Sequence, residues 1–90
     1  MYSLSYSSQF SKDLKLAQRR GYKIDLLKNI IDQLHQTGKL ETQFRPHKLQ
    51  GKYSDYMECH IKSGWLLIWL QNDKTMEIKF IRTGTHEELF

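Results

Sequence analysis

The residues best suited to chemistry stand at the C-terminus, where Arg82-Thr-Gly-Thr-His86 follows a run of alternating apolar residues. Histidine is the one side chain whose unperturbed pKa lets it both donate and accept protons near neutral pH. A rigid strand end that delivers a guanidinium beside an imidazole therefore predicts an acid–base site next to an anion.

Two more histidines are candidates for the same site. Apolar residues alternate around His60, so we expect Cys59 and Ile61 to face the core and His60 to face the opposite, open side of a sheet. His47 lies in a loop that carries the only proline. The alternative for each is an ordinary solvated histidine, and no role is assigned to His35.

Cations and aromatics accompany these histidines and are candidates for binding an anionic partner such as nucleic acid. Lys48, Lys52 and Lys62 belong to a set of cations that would form a cationic wall at one end of the sheet. The full set is Arg45, Lys48, Lys52, Lys62, Lys79 and Arg82. Scattered solvated charges are the alternative. Trp65 and Phe90 are the two aromatics not assigned to the core, and either could stack on a base, an interaction worth about 1–3 kcal/mol.

Other chemistries find little support in the sequence. No two histidines show the close spacing of zinc signatures, so no metal site is predicted. The chain has neither a glycine-rich phosphate loop nor a G-x-S-x-G nucleophile elbow. Cys59 is expected to face the core, where a thiol is usually inert.

The elements that must position these residues follow from periodicity. Alternation and apolar runs predict strands over 2–6, 57–61, 65–70 and 76–80, and helical spacing predicts helices from 8 to about 20 and over 24–37. Gly21 and Gly38 end the two helices. The order β-α-α-β-β-β predicts an α+β fold, with a helical hairpin on one face of an antiparallel sheet of about four strands.

Size and composition limit the class of protein. Ninety residues, 39% of them hydrophobic and 27% charged, make one domain over 1–90. The net charge of +4 favours an anionic partner, nucleic acid or an acidic protein, although it also serves solubility alone. One cysteine excludes an intrachain disulfide. The N-terminus lacks a signal-peptide pattern, and the longest apolar run is far below the ~20 residues of a membrane span, so we expect a cytoplasmic protein.

Blocks of residues along the whole chain resemble a known family. The chain contains Phe10-Ser-Lys-Asp-Leu-Lys, His47-Lys-Leu-Gln-Gly51, Glu58-Cys-His60-Ile, Trp65-Leu-Leu-Ile and Arg82-Thr-Gly-Thr-His86-Glu-Glu-Leu-Phe90. Together, and in this order, these blocks are similar to the YafQ-type toxins of the RelE/ParE superfamily. The family normally has an aspartate before the tryptophan of the fourth block, where this chain has Gly64.

The resemblance implies a RelE-like fold and a type II toxin–antitoxin system. It implies ribosome-dependent cleavage of mRNA in the ribosomal A site, with no cofactor and with neutralisation by an acidic antitoxin. It places His47, His60 and His86 in the active site, with His86 as general acid. His60 or His47 would then be the base or a phosphate ligand, and Arg82 would stabilise the charged transition state.

Two other functions remain open at this point. The same superfamily scaffold includes toxins directed at DNA gyrase, for which the histidines would be unnecessary. Gly64 could also mark a catalytically weakened module that binds RNA or protein. Translation arrest with fragmented mRNA, DNA-damage signalling and harmless expression are the three cellular outcomes that would separate these functions.

Overall fold

One mixed sheet of five strands forms the centre of the protein, whose computed structural model describes residues 1–90. The strand order is β1-β5-β4-β3-β2. The strands are β1 (Ser3–Tyr6), β2 (His47–Lys48), β3 (Tyr56–Lys62), β4 (Trp65–Asn72) and β5 (Glu77–Gly84). The apolar strand β4 is thus central, as its sequence predicted, with Leu66 and Ile68 only 4% and 6% exposed.

Three α-helices and two 3-10 helices of three residues each (Thr42–Phe44 and Gly51–Tyr53) complete the fold; the α-helices are α1 (Ser8–Arg19), α2 (Ile24–Thr37) and the short α3 (His86–Leu89). The Ser7 hydroxyl caps α1 by accepting from the backbone N–H of Phe10 at 2.9 Å. The same hydroxyl donates to the carbonyl of Ile81 at 2.7 Å, which fastens the start of α1 to β5. None of these helices is long and apolar enough to cross a membrane.

The end of α2 is fixed by Gly38. Its φ of +72° lies in the left-handed region, which glycine adopts without strain, and its N–H donates to the Leu34 carbonyl. A Cβ at this position would come within 2.5 Å of the Tyr2 ring. Glycine therefore both ends the helix and lets the first strand pack against it.

The core lies between the two long helices and one face of the sheet. Apolar side chains from every layer meet there and are almost fully buried. They include Phe10, Leu27, Ile30, Leu34, Cys59, Leu67, Trp69, Ile78 and Phe80. Cys59 is buried as predicted, and burial raises the pKa of its thiol to about 12, which keeps it protonated and unreactive near neutral pH.

The predicted α+β class and the helical hairpin are confirmed, with two corrections to the sheet. It has five strands instead of about four, because the two residues of β2 are too few to show alternation. It is mixed and not antiparallel, because β1 pairs with β5 in parallel, with Leu4 opposite Ile78. Alternation marks a strand but carries no information on its direction.

A bulge in β5 sets the direction of the residues that follow it. Phe80 pairs with Trp69, whereas Arg82 pairs with the preceding residue of β4, Ile68, so that Ile81 is the extra residue. Thr83 then lies opposite Leu67, whose side chain faces the core. A bulge of this kind reverses the alternation and re-aims side chains at the end of a strand.

Candidate active site

The pairing of β2 with β3 brings His47 and His60 together. His47 lies directly opposite Glu58, two residues before His60. The two imidazole rings are 6.2 Å apart between centroids and are inclined by 32°. His47, which lies in β2 and not in the predicted loop, and His60 therefore lie on the same surface at the edge of the sheet.

His86 reaches the same end of the sheet from the other side. Leu66 of β4 pairs with His60 on β3 and with Gly84 on β5. Two strand spacings thus separate His60 from Gly84, about 10 Å, and His86 follows two residues later. The sheet brings all three predicted histidines toward one region.

The first turn of α3 fixes His86. The Thr85 hydroxyl accepts from the Glu88 N–H at 3.3 Å, and Glu88 Oε1 accepts from the Thr85 N–H at 2.9 Å. This reciprocal pair is a capping box. The His86 ring lies 5.1 Å from the Phe90 ring, and Phe90 packs edge-on against Tyr53 at 5.7 Å. The cap holds the backbone, and the aromatic contact holds the ring.

The three histidines differ in what their rings bind. His60 is half-buried and His86 is exposed, and neither ring makes a hydrogen bond within the protein. His47 is occupied on both sides, with Nδ1 2.7 Å from the Arg45 carbonyl and Nε2 3.1 Å from Glu58 Oε1. Because both partners are acceptors, His47 satisfies both contacts only when both ring nitrogens carry a proton. His60 and His86 are free for proton transfer, whereas His47 is suited to act as a cation.

Arg82 has a partner that the sequence did not predict. Its Nε donates to Asp13 Oδ2 at 2.7 Å and its Nη2 to Asp13 Oδ1 at 3.2 Å. The Asp13 carboxylate also accepts from the Thr83 N–H. Asp13 is buried, and its hydrogen bond to the guanidinium raises the pKa of Arg82, although desolvation opposes this. Arg82 thus joins β5 to α1, and one face of its guanidinium is committed to that contact.

Among the predicted aromatic contacts, Trp65 is in the wrong place. It is only 4% exposed, its indole N–H donates to Thr83 Oγ1 at 2.9 Å, and its ring packs 4.9 Å from that of Tyr22. It shares the core-facing side of β4 with Leu67, so it cannot stack on a base. Phe90 is 46% exposed and remains a candidate.

The predicted cationic wall is also corrected. Lys62 pairs with Trp65 at one end of β4, whereas Lys79 pairs with Leu70, five residues or about 17 Å further along. Lys48, opposite Met57, lies toward the second end. The cations are spread over the sheet because strand register, which the sequence did not reveal, sets their positions.

Lys52 lies near the histidine region. Its Nζ is 5.2 Å from the centre of the Tyr53 ring, within the range of a cation–π contact. Tyr53 is the residue against which Phe90 packs. Of the three predicted lysines, Lys52 therefore has the most direct connection to His86.

Two carboxylates that contact residues of the candidate site escaped the sequence analysis. Glu58 is 7% exposed and faces His47. Glu88 binds Arg20, and that contact, with the Thr85 N–H, lowers the pKa of Glu88 to about 2. The T-x-x-E spacing from Thr85 could have revealed the cap of α3. No local pattern could have paired Glu58 with His47, because their register depends on the fold.

Gly64, at the position where the family normally has an aspartate, lies in a tight turn. Gly64 has a φ of +77°, between the end of β3 and the start of β4, and a Cβ there would meet no atom within 4 Å. The turn leaves room for a side chain but disfavours the backbone conformation of any residue that has one. No group of three or more His, Cys, Asp or Glu side chains is arranged to hold a metal ion.

Comparison with known proteins agrees with this geometry. Residues 2–90 match the family model described as the YafQ bacterial toxin of type II toxin–antitoxin systems. The mRNA interferase toxin YafQ of Escherichia coli K12 is 40% identical over 88 residues, which are 97% of this chain and 94% of that protein.

Solved structures of the relatives superpose over the whole chain. The crystal structure of YafQ from E. coli BL21(DE3) has a TM-score of 0.91 at 36% identity, covering 100% of this chain and 99% of that one. YafQ in the crystal structure of the E. coli DinJ–YafQ complex has a TM-score of 0.88 at 36% identity, with the same coverage.

Proposed function

The chain belongs to the YafQ family of type II toxins, and we propose that it is an mRNA interferase that cleaves translated mRNA in the ribosomal A site. The observation that supports this most is that the three histidines on one side of the sheet differ in their hydrogen-bond contacts. Two of the rings are free, and the third is held between two acceptors. General acid–base cleavage of RNA requires this combination of groups.

The proposed reaction needs no group beyond the protein and the RNA. His60 takes the proton of a ribose 2′-hydroxyl, whose oxygen attacks the adjacent phosphorus. The bond from phosphorus to the 5′-oxygen breaks, and His86 gives that oxygen its proton. The products are a 2′,3′-cyclic phosphate and a 5′-hydroxyl. The cationic His47 stabilises the additional negative charge of the transition state.

The ribosome has a clear part in this proposal. The histidines lie on an open surface and not in a deep cleft, so the protein alone cannot orient a flexible RNA for in-line attack. An mRNA held in the A site arrives already ordered, and orientation of this kind supplies a large share of a catalysed rate. Phe90, exposed beside His86, is placed to stack on a base of that mRNA.

An acidic antitoxin is the proposed protein partner. The relative YafQ has been crystallised in complex with DinJ. This chain carries a net charge of +4, which would steer an acidic segment toward it, and a segment lying across the histidine surface would block RNA. A complex whose partner leaves His60 and His86 fully open would contradict neutralisation by occlusion.

The decisive experiment is cleavage of mRNA on programmed ribosomes by the wild type and by His86→Gln. We expect the variant to lose about 10²–10⁴-fold in rate while staying folded. His35→Asn is the control, because Nδ1 of His35 binds the Tyr2 carbonyl within the fold and the amide nitrogen of asparagine lies at the same position on the side chain. Equal rates for the wild type and His86→Gln would refute the general acid.

Gly64 favours one alternative, a module that binds RNA and cleaves it weakly or not at all. In that case the wild type would bind programmed ribosomes without fragmenting mRNA. Cleavage and binding measured on the same ribosomes therefore separate the two functions.

A further inference from the structure

A buried carboxylate with a single partner lies next to the histidines. The Glu58 side chain is 9% exposed, and Nε2 of His47 is the one group that the structure pairs with it. Removing a carboxylate from water is costly unless an opposite charge or a hydrogen-bond donor compensates. The pair is therefore stable only with a proton on the nitrogen that faces Glu58.

The other nitrogen of His47 is fixed in the same way. Nδ1 is 2.7 Å from the Arg45 carbonyl, which can only accept a hydrogen bond. A neutral imidazole carries one proton and would leave one of these two contacts without a donor. The positive, doubly protonated ring satisfies both.

We propose that Glu58 is a positioning residue that keeps His47 charged and oriented toward the RNA phosphate. The backbone supports this arrangement, because His47 and Glu58 are directly opposite in the antiparallel pair β2–β3, where side chains on one face are about 5 Å apart. The catalytic consequence rests on the proposed nuclease function, whereas the ion pair itself does not.

The surroundings leave Glu58 as the group that decides this charge. The nearest titratable ring is that of His60, 6.2 Å away, and Lys48 follows His47 along β2. Positive charge on either would oppose a positive His47. Gly64 contributes no side chain, so Glu58 is the one carboxylate that the structure pairs with a histidine. Its loss would therefore remove the compensating charge.

The ring nitrogens of His47 test the pairing directly, without ribosomes. Nitrogen-15 NMR of the isolated toxin at pH 7 should show both nitrogens protonated in the wild type. In Glu58→Gln one should be protonated and the other not, with the proton kept on Nδ1 facing the Arg45 carbonyl. Glu77→Gln, the same change at an exposed position, should match the wild type. A neutral ring in the wild type, or no change in Glu58→Gln, overturns the proposal.

Cleavage on programmed ribosomes tests the consequence. At saturating toxin, Glu58→Gln should lose at least about tenfold in single-turnover rate, and Glu58→Asp should recover part of it. The half-saturating concentration should stay the same, because docking on the ribosome does not depend on one buried pair. An unchanged rate in a variant whose His47 has become neutral overturns the catalytic consequence. Absence of cleavage by the wild type refutes the nuclease itself, and the NMR result then decides the pairing alone.

Discussion

Arg20 binds Glu88 through two parallel hydrogen bonds, Nη1 to Oε1 at 3.0 Å and Nη2 to Oε2 at 2.6 Å. This fork joins the end of α1 to the four-residue helix that carries His86. Such a helix is too short to be stable alone, because ordering the backbone of its first turn costs more free energy than the first hydrogen bond contributes. The Thr85–Glu88 cap and the Arg20 fork are the two polar contacts that hold it, and both use one carboxylate.

We expect Arg20→Gln to slow mRNA cleavage while changing the melting temperature little. The two side chains are 37% and 29% exposed, so the bridge contributes little to global stability. Loss of the fork frees α3 and lets His86 leave the position from which it donates its proton. Cleavage rate and thermal denaturation are measured on the same preparations.

Arg19→Gln is the matched control for this change. Arg19 precedes Arg20, is exposed and forms no ion pair in the structure. An equal loss of cleavage in both variants would mean that the charge of the helix, and not the fork, supports activity.

The anchoring of α3 should weaken in acid. The pKa of Glu88 is lowered to about 2 from an ordinary value of 4.5. A depressed pKa means that the contribution of Glu88 to stability is complete above pH 4.5 and is lost as the pH falls from 4.5 to about 2. Urea denaturation of the wild type and Glu88→Gln over this range measures it. Because the Arg20–Glu88 pair is partly exposed, we expect a small difference in unfolding free energy that shrinks to zero near pH 2, and a constant difference would contradict the assignment.

The sequence predicted the elements well and their mutual placement less well. Periodicity, together with the continuous apolar run of β4, located α1, α2, β1 and strands β3 to β5. It missed β2 and α3, of two and four residues, since neither is long enough to show a period. These two elements carry His47 and His86. The parts of the site that escaped prediction are thus the shortest ones.

The candidate site shows the same division. The three histidines were found from their types and their sequence blocks, without any knowledge of distance. Glu58, Asp13 and Arg20 were not identified from the sequence, because each binds a partner that is not its neighbour in sequence. Asp13, for example, binds Arg82, 69 residues away. Trp65 was misplaced because its position at the start of a strand hid the face on which it lies. Side-chain pairings that depend on strand register can be identified only once the fold is known.

Arg82→Ala should destabilise the protein, because Arg82 is the charged partner of the buried Asp13. The change leaves the Asp13 carboxylate, 7% exposed, without its guanidinium. Because the Thr83 N–H still compensates in part, we expect a loss of about 2 kcal/mol in unfolding free energy, measured by urea denaturation. Lys79→Ala, an exposed cation on the same strand, is the control and should change little. If Arg82→Ala is as stable as the wild type but cleaves mRNA more slowly, the role of Arg82 is to stabilise the charged transition state.

Gly64 offers a way to ask whether the family's aspartate matters in this chain. Gly64→Asp and Gly64→Ala both force a side chain into a backbone with φ of +77°, and each should cost about 1 kcal/mol of stability, with alanine the worse of the two. The backbone penalty is thus nearly matched, and only one variant restores a carboxylate. If that group assists the proton transfers, Gly64→Asp cleaves mRNA on programmed ribosomes faster than Gly64→Ala, and we expect this result. Equal rates would mean that cleavage does not depend on a carboxylate at position 64.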